Sequence, residues 1–139
     1  MKICFAAVAV FALALARISY CAATAGGASV KVIDDFESSR IDWSGDYVGG
    51  IVTEYASHGE HSFRVLFRSG VQYPGISAGA LDLDWAGYDT LRLDIYNQQG
   101  VPVNLAVRID DDRSDANYSS RYNGEFLLVN GQTFLEIPF

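Results

Sequence analysis

The sequence predicts an all-β domain, an antiparallel β-sandwich or jelly roll with a galactose-binding-like topology, preceded by a signal peptide. Downstream of residue 25, apolar and polar residues alternate with a period of two, and Gly, Asn, Asp and Pro interrupt the alternation at short intervals. No segment of useful length has the periodicity of a helix. Short strands separated by such turn residues are typical of sandwiches and jelly rolls.

The start of the chain has the layout of a secretory signal. A short charged beginning precedes an apolar run at residues 3–16. This run is too short for a membrane-spanning helix, which needs about 20 apolar residues. Small residues follow, and Ala23-Thr24-Ala25 forms an A-x-A cleavage motif. We therefore predict a signal peptide over residues 1–25 and a domain over residues 26–139. Cleavage after residue 22 or 23 is an alternative.

Both cysteines of the chain lie in the predicted signal peptide. Removal of Cys4 and Cys21 leaves a domain without a disulfide, which therefore depends on its hydrophobic core. Cys21 is also an alternative lipid-attachment residue, although Tyr20 precedes it where that modification favours a small residue. The export signal predicts a secreted, periplasmic or cell-surface location.

The charge of the domain limits its partners. The chain has 17 acidic and 10 basic residues, for a net charge of −7, and loss of Lys2 and Arg17 with the signal peptide changes this to −9. Such an acidic domain has no electrostatic footprint for nucleic acid or anionic lipid. We therefore expect a neutral ligand, no nucleic-acid partner and no membrane insertion after cleavage.

Alternating residues predict the strands of the domain. The clearest are residues 89–97 and 102–110, in which every second residue is apolar and is expected to face the core. These inward residues are Leu91, Leu93, Ile95, Val103, Leu105, Val107 and Ile109. The other predicted strands are residues 30–36, 48–55, 61–68, 73–77, 117–122, 125–129 and 133–139. A loop with Trp43 is predicted at residues 41–47, and a turn at Asn123-Gly124.

The motifs of these strands occur in a characteristic order. The chain contains VIDDFE at residues 32–37, HGEHSFRV at 58–65, YDTLRLDIYN at 88–97, VRIDD at 107–111, YSSRYN at 118–123 and FLEIP at 134–138. This order resembles that of carbohydrate-binding modules with a galactose-binding-like jelly roll, family 11 modules in particular. Members of this group usually continue for one or two further strands. The resemblance therefore implies that the domain lacks its last one or two strands, as a fragment or with a strand supplied by a partner chain.

Candidate sugar-binding residues lie on the solvent side of the clearest strands and in the segment that follows them. Sugars are bound by stacking on aromatic rings and by hydrogen bonds to charged or amide groups. The candidates are Tyr96, Arg108, Asp110, Tyr118, Arg121 and Tyr122. They line one sheet face if their strands are neighbours. The alternative is that the charged residues form ion pairs on a solvated face and that the tyrosines cover the edge of the core.

The resemblance also implies a structural calcium ion near the first predicted strand, with Asp35 and Glu37 as ligands. The period of a strand places these two residues on one side and Asp34 on the other. Calcium takes about 6–8 oxygen ligands, which one strand does not supply. A charged strand start without a metal is therefore the alternative interpretation.

The sequence has no arrangement that indicates catalysis. It lacks a G-x-S-x-G motif, a phosphate-binding loop and a metalloprotease helix, and none of its acids stands out as a glycosidase pair. We expect an exported, non-catalytic module that binds poly- or oligosaccharide on one sheet face. The alternatives are a structural or protein-interaction β-sandwich completed by strand addition from a partner chain, and an accessory part of a glycoside hydrolase.

Overall fold

The computed structural model describes residues 2–7, 12–24, 27–38, 42–68, 70–78, 85–110 and 121–138, with side chains from residue 29 onward. These residues contain strands and no helix, so the all-β prediction is confirmed. The strands are β1 (Lys2–Ala7), β2 (Ala12–Thr24), β3 (Gly27–Asp34), β4 (Ser44–Gly45), β5 (Tyr47–Val52), β6 (Ser62–Phe67), β7 (Gly75–Ala78), β8 (Thr90–Asn97), β9 (Val103–Asp110), β10 (Tyr122–Leu128) and β11 (Gly131–Pro138).

The described strands form two antiparallel sheets. The first sheet has the order β10-β9-β1-β7-β4, and the second has the order β11-β8-β2-β6-β5, with β3 also paired to β2. Many connections between consecutive strands, among them β8–β9 and β10–β11, carry the chain from one sheet to the other. Two antiparallel sheets connected in this way are consistent with a β-sandwich.

One hydrophobic core contains residues from both sheets. The inward residues predicted for β8 and β9 are all buried, so the period-two prediction is confirmed for both strands. The second sheet adds Phe63, Val65, Phe67 and Ile137, and the first adds Ile76, Ala78 and Leu128. Along β9, β10 and β11, the more buried side chains alternate with more exposed ones, because successive side chains of a strand point to opposite faces of the sheet.

The structure differs from the sequence prediction at Asn123-Gly124, which lies inside β10 rather than in a turn. Tyr122, Gly124 and Phe126 share one face of this strand. A Cβ atom at Gly124 would lie 2.6 Å from the Tyr122 hydroxyl oxygen and 2.9 Å from the Phe126 ring. The glycine therefore makes room for two aromatic side chains. A second difference is β4, a two-residue strand within the predicted loop at residues 41–47.

The N-terminal residues supply a central strand to each sheet. β1 pairs with β9 on one side and with β7 on the other. β2 pairs with β8 on one side and with β6 and β3 on the other. Both strands belong to the predicted signal peptide, which stays a prediction for the exported form of the chain. Within the described ranges, no helix is long and apolar enough to span a membrane.

Candidate functional site

The second sheet carries a cleft of about 520 Å³. Strands β8 and β11 line one part of it, and Val30 of β3 lines another. The rest is contributed by the loop between β5 and β6, residues 53–61, which we call the cleft loop. The lining residues are Val30, Ser57, His58, Arg92, Leu93, Asp94, Phe134, Leu135 and Glu136. β8 and β11 provide polar groups here because side chains alternate between the two faces of a strand, and the apolar residues of both strands face the core.

The register of β8 and β11 brings the polar groups of the cleft together. Arg92 is paired with Glu136, and Asp94 with Phe134. The Arg92 Nη2 atom lies 2.8 Å from Glu136 Oε1, and Gln132 Nε2 donates to Asp94 Oδ1 at 3.0 Å. The Arg92 and Glu136 side chains are 44% and 62% exposed. Because both side chains are exposed, their hydrogen-bonding groups are accessible to a ligand. An ion pair this exposed also adds little stability.

Aromatic rings lie beside these polar pairs. Phe134 is 69% exposed, although it lies on a strand whose other face is buried. Tyr96 stacks on Tyr55 with ring centroids 4.0 Å apart and an interplanar angle of 22°. Tyr55 belongs to the cleft loop and has a φ of 60°, which is unusual for a bulky residue. The stack therefore holds the cleft loop against β8.

The six predicted sugar-binding residues were expected to share one face if their strands were neighbours, but β8 and β9 lie in different sheets. Tyr96 lies on β8 in the second sheet, whereas Arg108 and Asp110 lie on β9 in the first. The chain crosses between the sheets in the turn that joins β8 and β9. The core therefore lies between β8 and β9, although they are consecutive in sequence, and Tyr96 lies apart from Arg108 and Asp110.

The charged candidates form an ion-pair cluster on the first sheet. Arg108 Nη2 lies 2.8 Å from Asp110 Oδ2, and Arg121 Nε lies 3.4 Å from Asp110 Oδ1. The alternative interpretation was ion pairs on a solvated face; the pairs are present, but the Arg121 and Asp110 side chains are only 12% and 14% exposed. Tyr122 is paired with Ile109 and packs against the core. Tyr118 lies outside the described residues.

Several residues of the cleft were not among the sequence candidates. They are His58, Arg92, Asp94, Phe134 and Glu136. The exposure of Phe134 could have been predicted from the sequence, because the alternation that directs Leu135 and Ile137 inward leaves Phe134 on the polar face of β11.

The segment after β3 is held by the carboxylate of Asp34. Its Oδ1 atom accepts a hydrogen bond from Phe36 N at 3.0 Å, and its Oδ2 atom accepts one from Trp43 Nε1 at 3.0 Å. Burial raises the pKa of the Asp34 carboxyl above its ordinary value, while these two hydrogen bonds oppose the rise. The bonds fix a turn in which Phe36 has a φ of 61° and is buried.

Glu37 connects this segment to the cleft loop. Its Oε1 atom accepts hydrogen bonds from Glu60 N at 2.9 Å and from His61 N at 2.8 Å. Its Oε2 atom lies 2.9 Å from His61 Nδ1. The hydrogen bond with the His61 ring, helped by the backbone bonds, holds the pKa of Glu37 below its ordinary value. Glu37 therefore anchors the end of the loop that carries Tyr55 and His58.

Both predicted calcium ligands, Asp35 and Glu37, accept hydrogen bonds in this structure. Glu37 accepts them from Glu60 N and His61 N, and Asp35 Oδ1 accepts one from Glu37 N at 3.2 Å. In the part of the chain that the structure describes, no three His, Cys, Asp or Glu residues are grouped to hold a metal. Calcium at Asp35 and Glu37 stays a prediction, which melting curves with and without a chelator test.

No protein-family model, curated protein or solved structure matches the chain. Any assignment of function therefore rests on the sequence and on the chemistry of the cleft, where an exposed aromatic ring lies beside paired donors and acceptors.

We expect the Glu37→Gln variant to lose less stability in acid than the wild type. The pKa of Glu37 is lowered on folding, so its contribution is present above the ordinary value of 4.5 and is lost as the pH falls below it. Asp34, whose pKa is raised, contributes with the opposite sign, but both proteins contain it. Urea unfolding midpoints between about pH 6 and pH 3 measure the difference in slope.

Glu125→Gln is the matched control for this comparison, because Glu125 is an exposed glutamate on β10, away from the cleft loop. It is expected to follow the wild-type pH dependence. Equal slopes for Glu37→Gln and the wild type would contradict the role of the Glu37 carboxylate as an anchor of the cleft loop.

Proposed function

We propose that the chain is an exported, non-catalytic carbohydrate-binding module with a galactose-binding-like jelly roll. In this proposal the cleft of the second sheet binds a neutral poly- or oligosaccharide outside the cytoplasm. The observation that carries it is Phe134, an exposed aromatic ring flanked by the Arg92–Glu136 and Gln132–Asp94 pairs. The order of the sequence motifs supports the same function.

The chemistry of the cleft suits sugar hydroxyl groups. A hydroxyl both donates and accepts hydrogen bonds, and the cleft offers donors on Arg92 beside acceptors on Asp94 and Glu136. Arg92 and Glu136 offset each other, and Asp94 adds a negative charge, which disfavours an anionic ligand. The C–H face of a pyranose ring stacks on an exposed aromatic ring such as Phe134. The cavity of about 520 Å³ is within the usual size range of ligand sites.

Replacing Phe134 by alanine is expected to weaken binding to a polysaccharide ligand about tenfold, because the stacking surface is lost. Affinity gels with a panel of neutral polysaccharides, followed by calorimetry on the best ligand, measure the loss. Since Phe134 is exposed, the melting temperature is expected to change little.

Leu127→Ala is the matched control, because Leu127 is 60% exposed on β10 of the first sheet. It is expected to bind like the wild type. Arg108→Ala tests the charged cluster of the first sheet. Binding that survives Phe134→Ala but is lost in Arg108→Ala would move the site to the first sheet. Binding by none of the proteins across the panel would contradict the carbohydrate proposal.

A second candidate function is a structural or protein-interaction β-sandwich of an exported or cell-surface assembly, completed by strand addition. The position of β1 and β2 favours it. These strands are the central strands of the two sheets, and they belong to the segment that signal cleavage would remove. The two candidate functions are compatible, because strand addition completes a fold and the cleft binds a ligand.

A further inference from the structure

Removal of residues 1–25 would divide both sheets. Without β1, the first sheet separates into β10-β9 and β7-β4. Without β2, the second sheet separates into β11-β8 and β6-β5, and β3 loses the strand with which it pairs. The backbone N–H and C=O groups along β9, β7, β8 and β6 would then lack their ladder partners. Unpaired strand edges of this kind bind further strands.

We infer that the places of β1 and β2 are two strand-acceptor sites, which the cleaved domain fills with two extended strands of another polypeptide. This inference rests on the export part of the proposed function. The first acceptor site lies between β9 and β7, and the second lies between β8 and β6. Both require antiparallel strands, because every pairing of β1 and β2 is antiparallel.

The register defines the residues that the first acceptor site takes. Its inward partners on β9 are Ile109, Val107 and Leu105, all at most 5% exposed. The chain places Ile3, Phe5 and Ala7 opposite them, in that order. A donor for this site therefore needs apolar residues at three alternate positions, since a polar group there would be buried without a partner.

The second acceptor site takes a longer strand with a shift in register. Opposite Ile95, Leu93 and Leu91 of β8, the chain places Leu15, Ile18 and Tyr20. The spacing changes from two to three because a bulge lies between Leu15 and Arg17. All three partners on β8 are at most 2% exposed. The donor pattern is therefore apolar-x-x-apolar-x-apolar at these positions.

A second copy of this chain does not supply the donor. Among the described strands, β4–β11 pair with one another or with β1 and β2, and cleavage leaves β3 as the one strand without a partner. One strand cannot fill two sites in different sheets. The occupant that fits is a separate polypeptide segment with two apolar-alternating strands, which binds by β-strand addition.

The second acceptor site also adjoins the cleft. In the present register, Ser19 is opposite Arg92, and Arg17 is opposite Asp94. Arg92 and Asp94 both line the cavity. A donor strand at this place thus runs beside the cleft, so we expect ligand binding by the cleaved domain to depend on the donor.

Peptide exchange into the folded full chain tests the inference. A protease site inserted between Ala25 and Gly26 allows residues 1–25 to be cut from the rest after folding. The cut segment is expected to remain bound, and a labelled synthetic peptide of residues 1–25 with a lysine tail is expected to replace it. Native mass spectrometry follows the exchange. A domain that loses the segment and keeps the same unfolding curve would overturn the inference.

Variant peptides test the register. Leu15→Asp with Ile18→Asp places charges opposite buried residues of β8, and exchange is expected to be at least about tenfold weaker. Ser19→Asp is the matched control, because position 19 is opposite the exposed Arg92. Equal exchange by both peptides would overturn the inference.

Two further measurements distinguish failure of this inference from failure of the functions on which it rests. The first is the N-terminal sequence of the exported protein, and the second is ligand binding by the uncut chain. An exported protein that retains β1 and β2 would overturn the inference, since the acceptor sites would never open. Failure of the uncut chain to bind any polysaccharide would contradict the carbohydrate proposal alone, because exchange is read from mass and unfolding.

Discussion

Replacing Phe63 by alanine is expected to destabilise the domain by about 4 kcal/mol. The Phe63 side chain is fully buried on β6. Its ring stacks on Phe36 with centroids 5.6 Å apart and meets Tyr47 edge-on at 5.4 Å. Truncation removes the transfer free energy of the ring and leaves a cavity beside the two remaining aromatic side chains, Phe36 and Tyr47. Urea unfolding at neutral pH measures the loss.

Two control variants define this effect. Phe63→Leu fills most of the cavity and is expected to cost about 1.5 kcal/mol. Leu66→Ala removes a side chain that is 39% exposed on the same strand and is expected to cost less than about 1 kcal/mol. If Phe63→Ala costs no more than Leu66→Ala, the aromatic cluster does not form part of the core.

Replacing Asn97 by alanine is expected to cost about 3 kcal/mol, because it leaves buried backbone groups without partners. The Asn97 side chain is fully buried at the end of β8. Its Nδ2 atom donates to Val101 O at 2.8 Å and to Leu128 O at 3.2 Å. Its Oδ1 atom accepts a hydrogen bond from Gln99 N at 3.0 Å. These bonds connect the second sheet to the end of β10 in the first.

The Asn97→Asp variant separates hydrogen bonding from packing. It keeps the shape and the acceptor but directs a carboxylate at two carbonyl oxygens. We expect it to be at least as destabilised as Asn97→Ala at pH 7 and to regain stability as the pH falls and the carboxyl is protonated. Asn130→Ala is the control, since exposed Asn130 accepts one hydrogen bond, from Gly100 N. A loss below about 1 kcal/mol in Asn97→Ala would contradict the buried network.

The link between Glu37 and the cleft loop gives the acidic motif after β3 a structural role. In the structure, the carboxylates of Asp34 and Glu37 accept hydrogen bonds from N–H groups. These groups come from Glu60 and His61 for Glu37, and from Phe36 and Trp43 for Asp34. Except for Phe36, the donors are distant along the chain, and distant donors cannot be inferred from a local motif.

Parts of the cleft were predictable from local alternation, and parts were not. Alternation in β11 places Phe134 on the face opposite Ile137, so its exposure follows from the sequence. The approach of the cleft loop does not, because the Tyr55–Tyr96 stack joins residues 41 positions apart along the chain. The role of Gly124 also needed the structure, since Asn-Gly is the usual signal of a hairpin turn.

By itself, the sequence determined the all-β class and the inward residues of β8 and β9, because side-chain alternation in a strand is a local property. Only the tertiary structure decided which strands are neighbours. The turn at residues 98–102 carries the chain from the second sheet to the first, which separates Tyr96 from Arg108 and Asp110 by the thickness of the core. Strand pairing also decided that β1 and β2 take the central positions in the two sheets, because pairing depends on edges and register that the whole fold creates.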